Sequence, residues 1–347
     1  MAQVYPPLRN LAARSLYLSG TLDLWRSAAT RLDAVIKRGR VARRLQRGTL
    51  VFMFHRLVEE PNPFRPGYPV DQFEFFCRHL AEHYEVLPLC ELERRRVAHT
   101  PSGAVGISFD DGYADNYELA FPILRKYNLP ATVFITTGCM EGKRLLWTSR
   151  LSWVVEHARA PEGRTVPVLG LELDLSSRDA RARSNALLTE RMKDITHVER
   201  EQIIDHLALE LGVEDFSELH RTEMLTWEQL REMDRNGFQA GGHTVHHTIL
   251  SRISPGLLLR EVAECKEELE GYLDRRIETF AYPNGDPNDF TDEVVETVRR
   301  TGYRAAYTTV FGANGARQHP HQLRRVTVYG ADQAEIALQI ERFFYMV

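Results

Sequence analysis

The chain has no apolar run long enough to predict a membrane span. None approaches the ~18 consecutive apolar residues that a transmembrane helix needs, and the first residues show neither the short apolar core nor the cleavage site of a secretory signal. Cysteine is also scarce, with four residues in 347 and no Cys-x-x-Cys pair. Scattered cysteines fit a reducing compartment better than a disulfide framework. We therefore expect a cytoplasmic protein.

The net charge of -4 is small, but it is unevenly distributed. Residues 1 to 48 hold ten Lys or Arg and two Asp, a local charge of +8, and apolar residues recur among the arginines at roughly helical spacing. This pattern predicts a basic amphipathic helix that contacts an anionic membrane surface, here the inner membrane face, or that packs its apolar side on the rest of the protein. The acidic remainder would repel phosphates, which argues against a nucleic-acid partner.

Short apolar runs alternate with helical patterns from Thr49 to about residue 330. Seven or eight strand candidates with intervening helices predict a closed or nearly closed α/β barrel. Residues 147 to 221 break this rhythm with a possible hairpin around Gly170 and a long charged helical stretch, so we interpret them as an insertion that shapes one wall of the pocket. Residues 331 to 347 predict a C-terminal helix.

The strand candidate Ala104 to Phe109 ends in two adjacent carboxylates, Asp110 and Asp111, followed by a glycine. Ligands of parallel α/β folds gather where the strands end, so both carboxylates should face a pocket. An Asp-Asp-Gly sequence after a strand is also often only a turn. Another apolar run ends at His55, which should face the same pocket.

A second strand candidate runs through two glycines into His243 and His247, which stand four residues apart. At this spacing two side chains share one face of a helical turn and reach a single ion, although an isolated pair is more often a surface feature. One carboxylate and two imidazoles make an open metal site, and the spare carboxylate is then available as a base. The intervening His246 should point elsewhere and be structural.

Four motifs together resemble the polysaccharide deacetylases of the NodB-homology class (carbohydrate esterase family 4 type). The motifs are Phe54-His-Arg56, Ser108-Phe-Asp-Asp-Gly112, His243-Thr-Val-His-His247 and Phe280-Ala-Tyr-Pro-Asn-Gly285. The resemblance covers about residues 49 to 330 apart from the insertion. It implies a distorted (β/α)7 barrel, with a mostly helical insertion and the N-terminal basic helix as additions, and a hydrolase that removes N- or O-acetyl groups from sugars of a polysaccharide or of its lipid-linked precursor.

The resemblance also implies roles for individual residues. Asp111, His243 and His247 resemble the ligands of a divalent metal, first of all zinc with nickel, cobalt or iron as alternatives, and Asp110 resembles the general base. The backbone N–H groups near Gly112 and Tyr113 would stabilise the oxyanion. We further expect Tyr113, Tyr282 and Pro283 to contact the saccharide substrate, because they follow strands beside the pocket.

The chain departs from the family pattern at two places. Ala281 stands where many members have an arginine that holds the catalytic aspartate, and a late Leu-x-His motif is missing. The segment around Arg325 resembles a variant found in members with a Tyr-Pro-x-Gly motif, so Arg325 is the candidate partner of Asp110. The general acid is then His55 or, second, His321.

Other functions remain open on the sequence alone. Two histidines and one carboxylate are also the ligand set of non-haem iron oxygenases. The same barrel would suit an amidohydrolase of small non-sugar C–N substrates, with or without metal. A barrel that binds carbohydrate without catalysis is favoured only if Arg325 and His55 lie far from the metal ligands.

Overall fold

The computed structural model describes residues 48–98, 103–159, 165–330 and 332–345. A ring of β-strands forms its centre. Eight strands form one sheet in the order β11-β1-β4-β5-β8-β9-β10-β12. They are β1 Gly48–Phe54, β4 Val105–Phe109, β5 Thr132–Ile135, β8 Gln239–Gly242, β9 Thr279–Ala281, β10 Ala305–Phe311, β11 Asn314–Gly315 and β12 Leu323–Arg325. All of these strands except β11 pair in parallel with their neighbours.

A single bridge brings the two sides of this sheet together. Phe52 of β1 pairs in parallel with Val326, just after β12, and the N–H of Met53 donates to the Val326 carbonyl at 2.9 Å. Seven parallel strands of the described residues therefore form a nearly closed ring. The expectation of a distorted (β/α)7 barrel is confirmed.

Helices cover the outside of the ring and fill the connections between strands. They are α1 Val70–His83, α2 Leu89–Val97, α3 Phe121–Lys126, α4 Trp147–Glu156, α5 Arg178–Met192, α6 His197–Glu210, α7 Ser217–Thr222, α8 Trp227–Arg235, α9 Pro255–Leu273, α10 Asp292–Arg300 and α11 Gln333–Tyr345. Helix α9 begins with Pro255 at its first position, where the missing N–H is not needed. No helix in the described parts of the chain is long and apolar enough to cross a membrane.

Aromatic side chains pack β1 and β4 against α1. Phe54 and Phe109 are partners in the strand register, and their rings lie 5.6 Å apart with Phe73 of α1 within 5.2 to 5.6 Å of both. All three are buried, and burial of one such side chain contributes roughly 1.5 to 3 kcal/mol. This packing fixes the carboxyl ends of the two strands, from which His55 and Asp110 extend.

Residues 145 to 219 build a hydrophobic cluster of their own, separate from the barrel core. The predicted hairpin is present as β6 Thr165–Val168 and β7 Leu171–Asp174, paired antiparallel. The charged stretch forms α5 and α6, and Thr196 caps α6 through the predicted capping box with Glu199.

The remaining short elements are β2 Leu57–Val58 and β3 Tyr68–Pro69, the π-helical turn Asn116–Ala120, and the 3₁₀ turns Thr137–Gly142 and Leu250–Arg252. Except for Gly48, which opens β1, the predicted basic helix of residues 1 to 48 lies outside the described residues.

Candidate active site

The two adjacent carboxylates follow β4, at the edge of the barrel where the parallel strands end. The Asp110 N–H donates to the Phe54 carbonyl at 3.0 Å and so extends the pairing of β1 with β4. The backbone then turns, with φ of +77° at Asp111 and +84° at Gly112. Glycine adopts this left-handed conformation freely, whereas it costs Asp111 about 1 kcal/mol or more. The turn sends two neighbouring carboxylates to different partners.

His243 and His247 follow β8 through an irregular loop. Thr244 and His247 have φ of +67° and +54°, which a right-handed helical turn cannot contain. The Gly138 N–H donates to the Val245 carbonyl at 2.8 Å and holds the loop against the connection after β5. The prediction that the two histidines share one face of a helical turn is therefore wrong. Both imidazole rings nevertheless approach the same group.

The group that both histidine rings approach is the Asp111 carboxylate. Its Oδ1 lies 3.3 Å from Nε2 of His243 and 3.1 Å from Nε2 of His247. Asp111 and His243 are buried, and the side chain of His247 is 11% exposed. Oδ1 is a buried oxygen without a hydrogen-bond partner. Ligands about 2.1 Å from a tetrahedral metal lie about 3.4 Å apart, close to these separations. The residues present therefore fit a divalent metal ion.

Neighbouring groups set the orientation and charge of Asp111, His243 and His247, which we call the triad. Nδ1 of His243 lies 2.8 Å from the Ala281 carbonyl, which only accepts hydrogen bonds, so Nδ1 donates and Nε2 is the ring nitrogen that faces Asp111. Burial alone would raise the pKa of Asp111, but the imidazoles of His247 and His243 hold that pKa well below its usual range. Asp111 is therefore an ionised carboxylate facing two imidazole nitrogens.

Asp110 faces a different group, the guanidinium of Arg325. Two parallel contacts join them, Nη1 to Oδ1 at 2.6 Å and Nη2 to Oδ2 at 2.7 Å, and both residues are 1% exposed. Nε of Arg325 donates to the Thr308 carbonyl at 2.9 Å, which fixes the plane of the guanidinium. Burial favours the neutral acid, but the charge and hydrogen bonds of Arg325 outweigh it and lower the pKa of Asp110.

His55 lies at the exposed mouth of the same site. Its Nε2 is 3.9 Å from Oδ2 of Asp110, and its side chain is 47% exposed. The ring is thus close to Asp110 and open to solvent. This position suits a group that exchanges protons with water and with a bound substrate.

The three residues expected to contact the substrate, Tyr113, Tyr282 and Pro283, have buried side chains. Tyr113 is 6% exposed, because its ring packs under the Arg56 guanidinium at 4.4 Å. Tyr282 is 1% exposed and stacks on Phe290, and Pro283 beside it is buried.

His321, the second candidate for the general acid, is not brought to the site. Its Nε2 pairs with the Tyr303 carbonyl at 2.9 Å, and the Ala306 N–H donates to the carbonyl of Pro320. These contacts place His321 at the amino end of β10, whereas the triad and Asp110 lie at carboxyl ends of strands.

Glu261 of α9 holds the histidine loop and was missed by the sequence analysis. Its Oε2 accepts from the N–H groups of Val245 and His246 at 3.0 and 2.9 Å, and its Oε1 lies 2.6 Å from Nδ1 of His246. His246 is thus structural, as expected. A single glutamate within a helix gives no local signal of this role in the sequence.

A buried ionic network supports the first strand of the site from behind. Arg56 contacts Asp115 at 3.1 Å and Glu223 at 2.7 Å, and Glu223 also accepts from the Ser149 hydroxyl. The Leu57 N–H donates to Asp115 as well. Arg56 adjoins His55 in the chain, so this network helps to position the mouth of the site.

Known proteins resemble this chain in sequence. The family model for polysaccharide deacetylase matches residues 98–306. The chain is 24% identical to YxkH of Bacillus subtilis over 222 residues, which are 64% of this chain and 50% of that protein. It is 44% identical over 69 residues to the poly-beta-1,6-N-acetyl-D-glucosamine N-deacetylase of Staphylococcus aureus (strain MSSA476), which are 19% of this chain and 24% of that protein. The match thus spans about half the length of the Bacillus subtilis relative and about a quarter of the length of the Staphylococcus aureus relative.

A solved structure shares the fold. The Streptococcus pyogenes deacetylase PplD in complex with acetate superposes with a TM-score of 0.56 and 20% identity, over 84% of this chain and 97% of that one.

Proposed function

The chain belongs to the polysaccharide deacetylase family, and on this basis we propose that it is a metal-dependent hydrolase that removes N-acetyl groups from sugars. The observation that carries the proposal is that two adjacent carboxylates have different partners. Asp111 faces two imidazole nitrogens at 3.1 and 3.3 Å, while the neighbouring Asp110 is held by Arg325. A binding protein without catalysis would need neither arrangement.

Asp111, His243 and His247 would hold the metal through one carboxylate oxygen and two Nε2 atoms. When bound, a divalent metal such as zinc polarises the acyl oxygen and lowers the pKa of water to about 7. The Ala281 carbonyl keeps His243 in the tautomer that this role requires. Nickel, cobalt or iron would suit the same ligands.

Asp110 is the proposed general base. Arg325 keeps its carboxylate ionised and fixes its plane, so an oxygen of Asp110 accepts a proton from the attacking water as the new C–O bond forms. The backbone N–H of Tyr113, which follows the left-handed turn, stabilises the negative charge on the acyl oxygen.

His55 is the proposed general acid. It donates a proton to the leaving nitrogen as the C–N bond breaks, so that the products are acetate and the free amine of the sugar. Its exposure at the mouth of the site supports this role, because the ring regains a proton from water after each turnover.

The proposed substrate is a polysaccharide that contains N-acetylglucosamine, or its lipid-linked precursor. The Staphylococcus aureus relative, named for deacetylation of poly-beta-1,6-N-acetyl-D-glucosamine, supports this class. The test is acetate release from N-acetylated and O-acetylated glycans, with and without a chelator. We expect release from N-acetylated glycans that stops with chelator, and loss of bound metal in His247→Ala. Chelator-resistant release, or normal metal content in that variant, would contradict the metal proposal.

A cytoplasmic location with contact to the inner membrane face is a separate proposal. The local charge of +8 in residues 1 to 48 supports it. An enzyme there would meet its saccharide before export, as a precursor rather than as a finished polymer outside the cell.

A further inference from the structure

A cavity lies beside the triad, and none of the three triad residues lines it. It has a volume of about 280 Å³ and lies between the connection after β5, the start of α4 and the helices α6 and α7. His246 lines it and directly precedes His247 in the chain. Cys139 also lines it and packs in a small apolar cluster with Tyr113, two residues after Asp111. The cavity therefore lies beside the loop that carries His247.

The charges that line the cavity are mostly positive. Lys143, Arg144 and Arg150 face a single carboxylate, that of Glu201. Arg150 is neutralised by two carboxylates, because its Nη1 lies 2.5 Å from Oε2 of Glu201 and its Nη2 lies 2.5 Å from Oδ1 of Asp205. Nζ of Lys143 is 4.0 Å from Glu141, at the limit of an ion pair, and within the described ranges Arg144 makes no ion pair at all. Two cationic groups thus remain available for a ligand.

Histidines supply the other polar groups of the cavity. Nδ1 of His220 lies 2.5 Å from the Gly142 carbonyl and Nδ1 of His246 contacts the Glu261 carboxylate, so both Nδ1 atoms donate. Nε2 is then the remaining polar atom of each ring, and it can form a hydrogen bond with a ligand hydroxyl. Nδ1 of His197 is buried without a partner.

The cavity is built rigidly. A Cβ added at Gly142 would come within 1.7 Å of the His220 carbonyl oxygen, so only glycine permits this approach of α7 to the connection after β5. The Trp147 ring, under the Arg200 guanidinium at 4.3 Å, forms part of an apolar wall. Such a preformed cavity, with apolar walls and a few directed polar groups, is typical of a ligand site.

We propose that this cavity is a subsite for an anionic group, a phosphate or a carboxylate, carried by the saccharide whose acetamide is cleaved at the triad. The inference rests on the proposed deacetylase function and adds a substrate class to it. A neutral N-acetylated glycan would use only the triad. A glycan phosphate or a uronate-containing glycan would in addition engage Lys143 and Arg144.

The experiment compares three N-acetylglucosamine oligosaccharides of equal length, one neutral, one with a terminal phosphate and one with a uronate unit, at fixed ionic strength. We expect wild-type kcat/KM to be at least about tenfold higher for one of the anionic forms, since a hydrogen bond to a charged group is worth that much. Which form is preferred identifies the source of the anion. In the K143A/R144A variant the ratio should fall to about one.

R299A/R300A is the matched control, because it removes two adjacent exposed cations from α10, away from the cavity. The control should keep the wild-type ratio. Equal kcat/KM for all three glycans in wild type, or an unchanged ratio in K143A/R144A, overturns the subsite.

Calorimetric binding of pyrophosphate and of a monosaccharide uronate separates failure of the subsite from failure of the proposed function. Binding that weakens in K143A/R144A but not in the control supports the subsite even if no acetate is released. Acetate release without any such binding or preference leaves the deacetylase proposal intact and overturns the subsite.

Discussion

Arg325 and Asp110 meet through two parallel N–H···O contacts of 2.6 and 2.7 Å although 215 residues separate them in the chain. Asp110 leaves the end of β4, and Arg325 ends β12 on the other side of β1. Ala281, one of the two departures from the family pattern, offers its carbonyl to Nδ1 of His243. The Asp110 carboxylate is thus held by β12, the last strand of the ring.

Asp110→Asn should keep the metal and lose turnover. The amide retains the shape of the carboxylate but cannot accept the proton of water, and a positioned base contributes typically ~10²- to 10⁴-fold. Metal content and acetate release are measured on the same preparation. Loss of metal together with activity would contradict the division of roles between Asp110 and Asp111, and His206→Ala is the control at an exposed position of α6.

Arg325→Met should reduce the free energy of unfolding by about 3 to 5 kcal/mol, because it leaves the Asp110 carboxylate buried without its partner. The double variant Asp110→Asn with Arg325→Met should recover part of this loss, since no uncompensated charge remains, while turnover stays low. Urea denaturation of the wild type, both single variants and the double variant gives the coupling free energy. A double variant whose two losses simply add would show that the pair is not coupled.

Glu261→Gln should weaken metal binding by about 10- to 100-fold, the usual effect of removing a group that orients metal ligands. The amide oxygen accepts hydrogen bonds from the Val245 and His246 N–H groups less strongly, so the loop that carries His247 is held less firmly. Competition with a chelator of known affinity measures the change. Glu264→Gln on the same helix, whose carboxylate pairs with exposed Arg260, is the control, and equal affinity in both variants would remove Glu261 from this role.

The pH dependence of stability should report Asp115. Burial raises the pKa of this carboxyl from its ordinary value of 3.8 to about 6, against the opposing charge of Arg56 and with a further rise from Glu223. At Asp115 the folded state therefore binds more protons than the unfolded state between these values, and the contribution of Asp115 to stability falls as pH rises from about 4 to about 6.

Asp115→Asn removes that titration. The free energy of unfolding of the wild type minus that of the variant should thus decline across this window, by on the order of 3 kcal/mol, and level off above it. A difference that stays constant or rises from pH 4 to pH 6 would contradict the raised pKa.

Residues 1 to 48 should attach the protein to anionic vesicles. Full-length protein should bind vesicles that contain acidic lipid at low salt and lose them as ionic strength rises, because surface charges are screened within ~8 Å at physiological salt. Removal of residues 1 to 46 should abolish binding without changing hydrolysis of a soluble acetylated sugar. Failure of the full-length protein to bind at low salt, or unfolding of the truncated protein, would show that the segment is only structural.

The sequence was most informative where a local pattern determines structure. The apolar run before Asp110 and Asp111 predicts that both carboxylates lie at the end of a strand. The run with two glycines before His243 predicts the same for that histidine. The conformation of the histidine loop was not predictable in this way, because positive φ at Thr244 and His247 depends on bonds to the distant connection after β5. Burial of Tyr282 likewise depends on Phe290 and the His321 carbonyl, contacts made only in the folded barrel.

The strand that carries Arg325 is also the last of the ring to be synthesised. The two sides of the ring meet where Val326 pairs with Phe52, directly after Arg325. Closure of the barrel and the Asp110–Arg325 ion pair therefore depend on the same short segment, so a change that detaches β12 would open the ring and release the Asp110 carboxylate together.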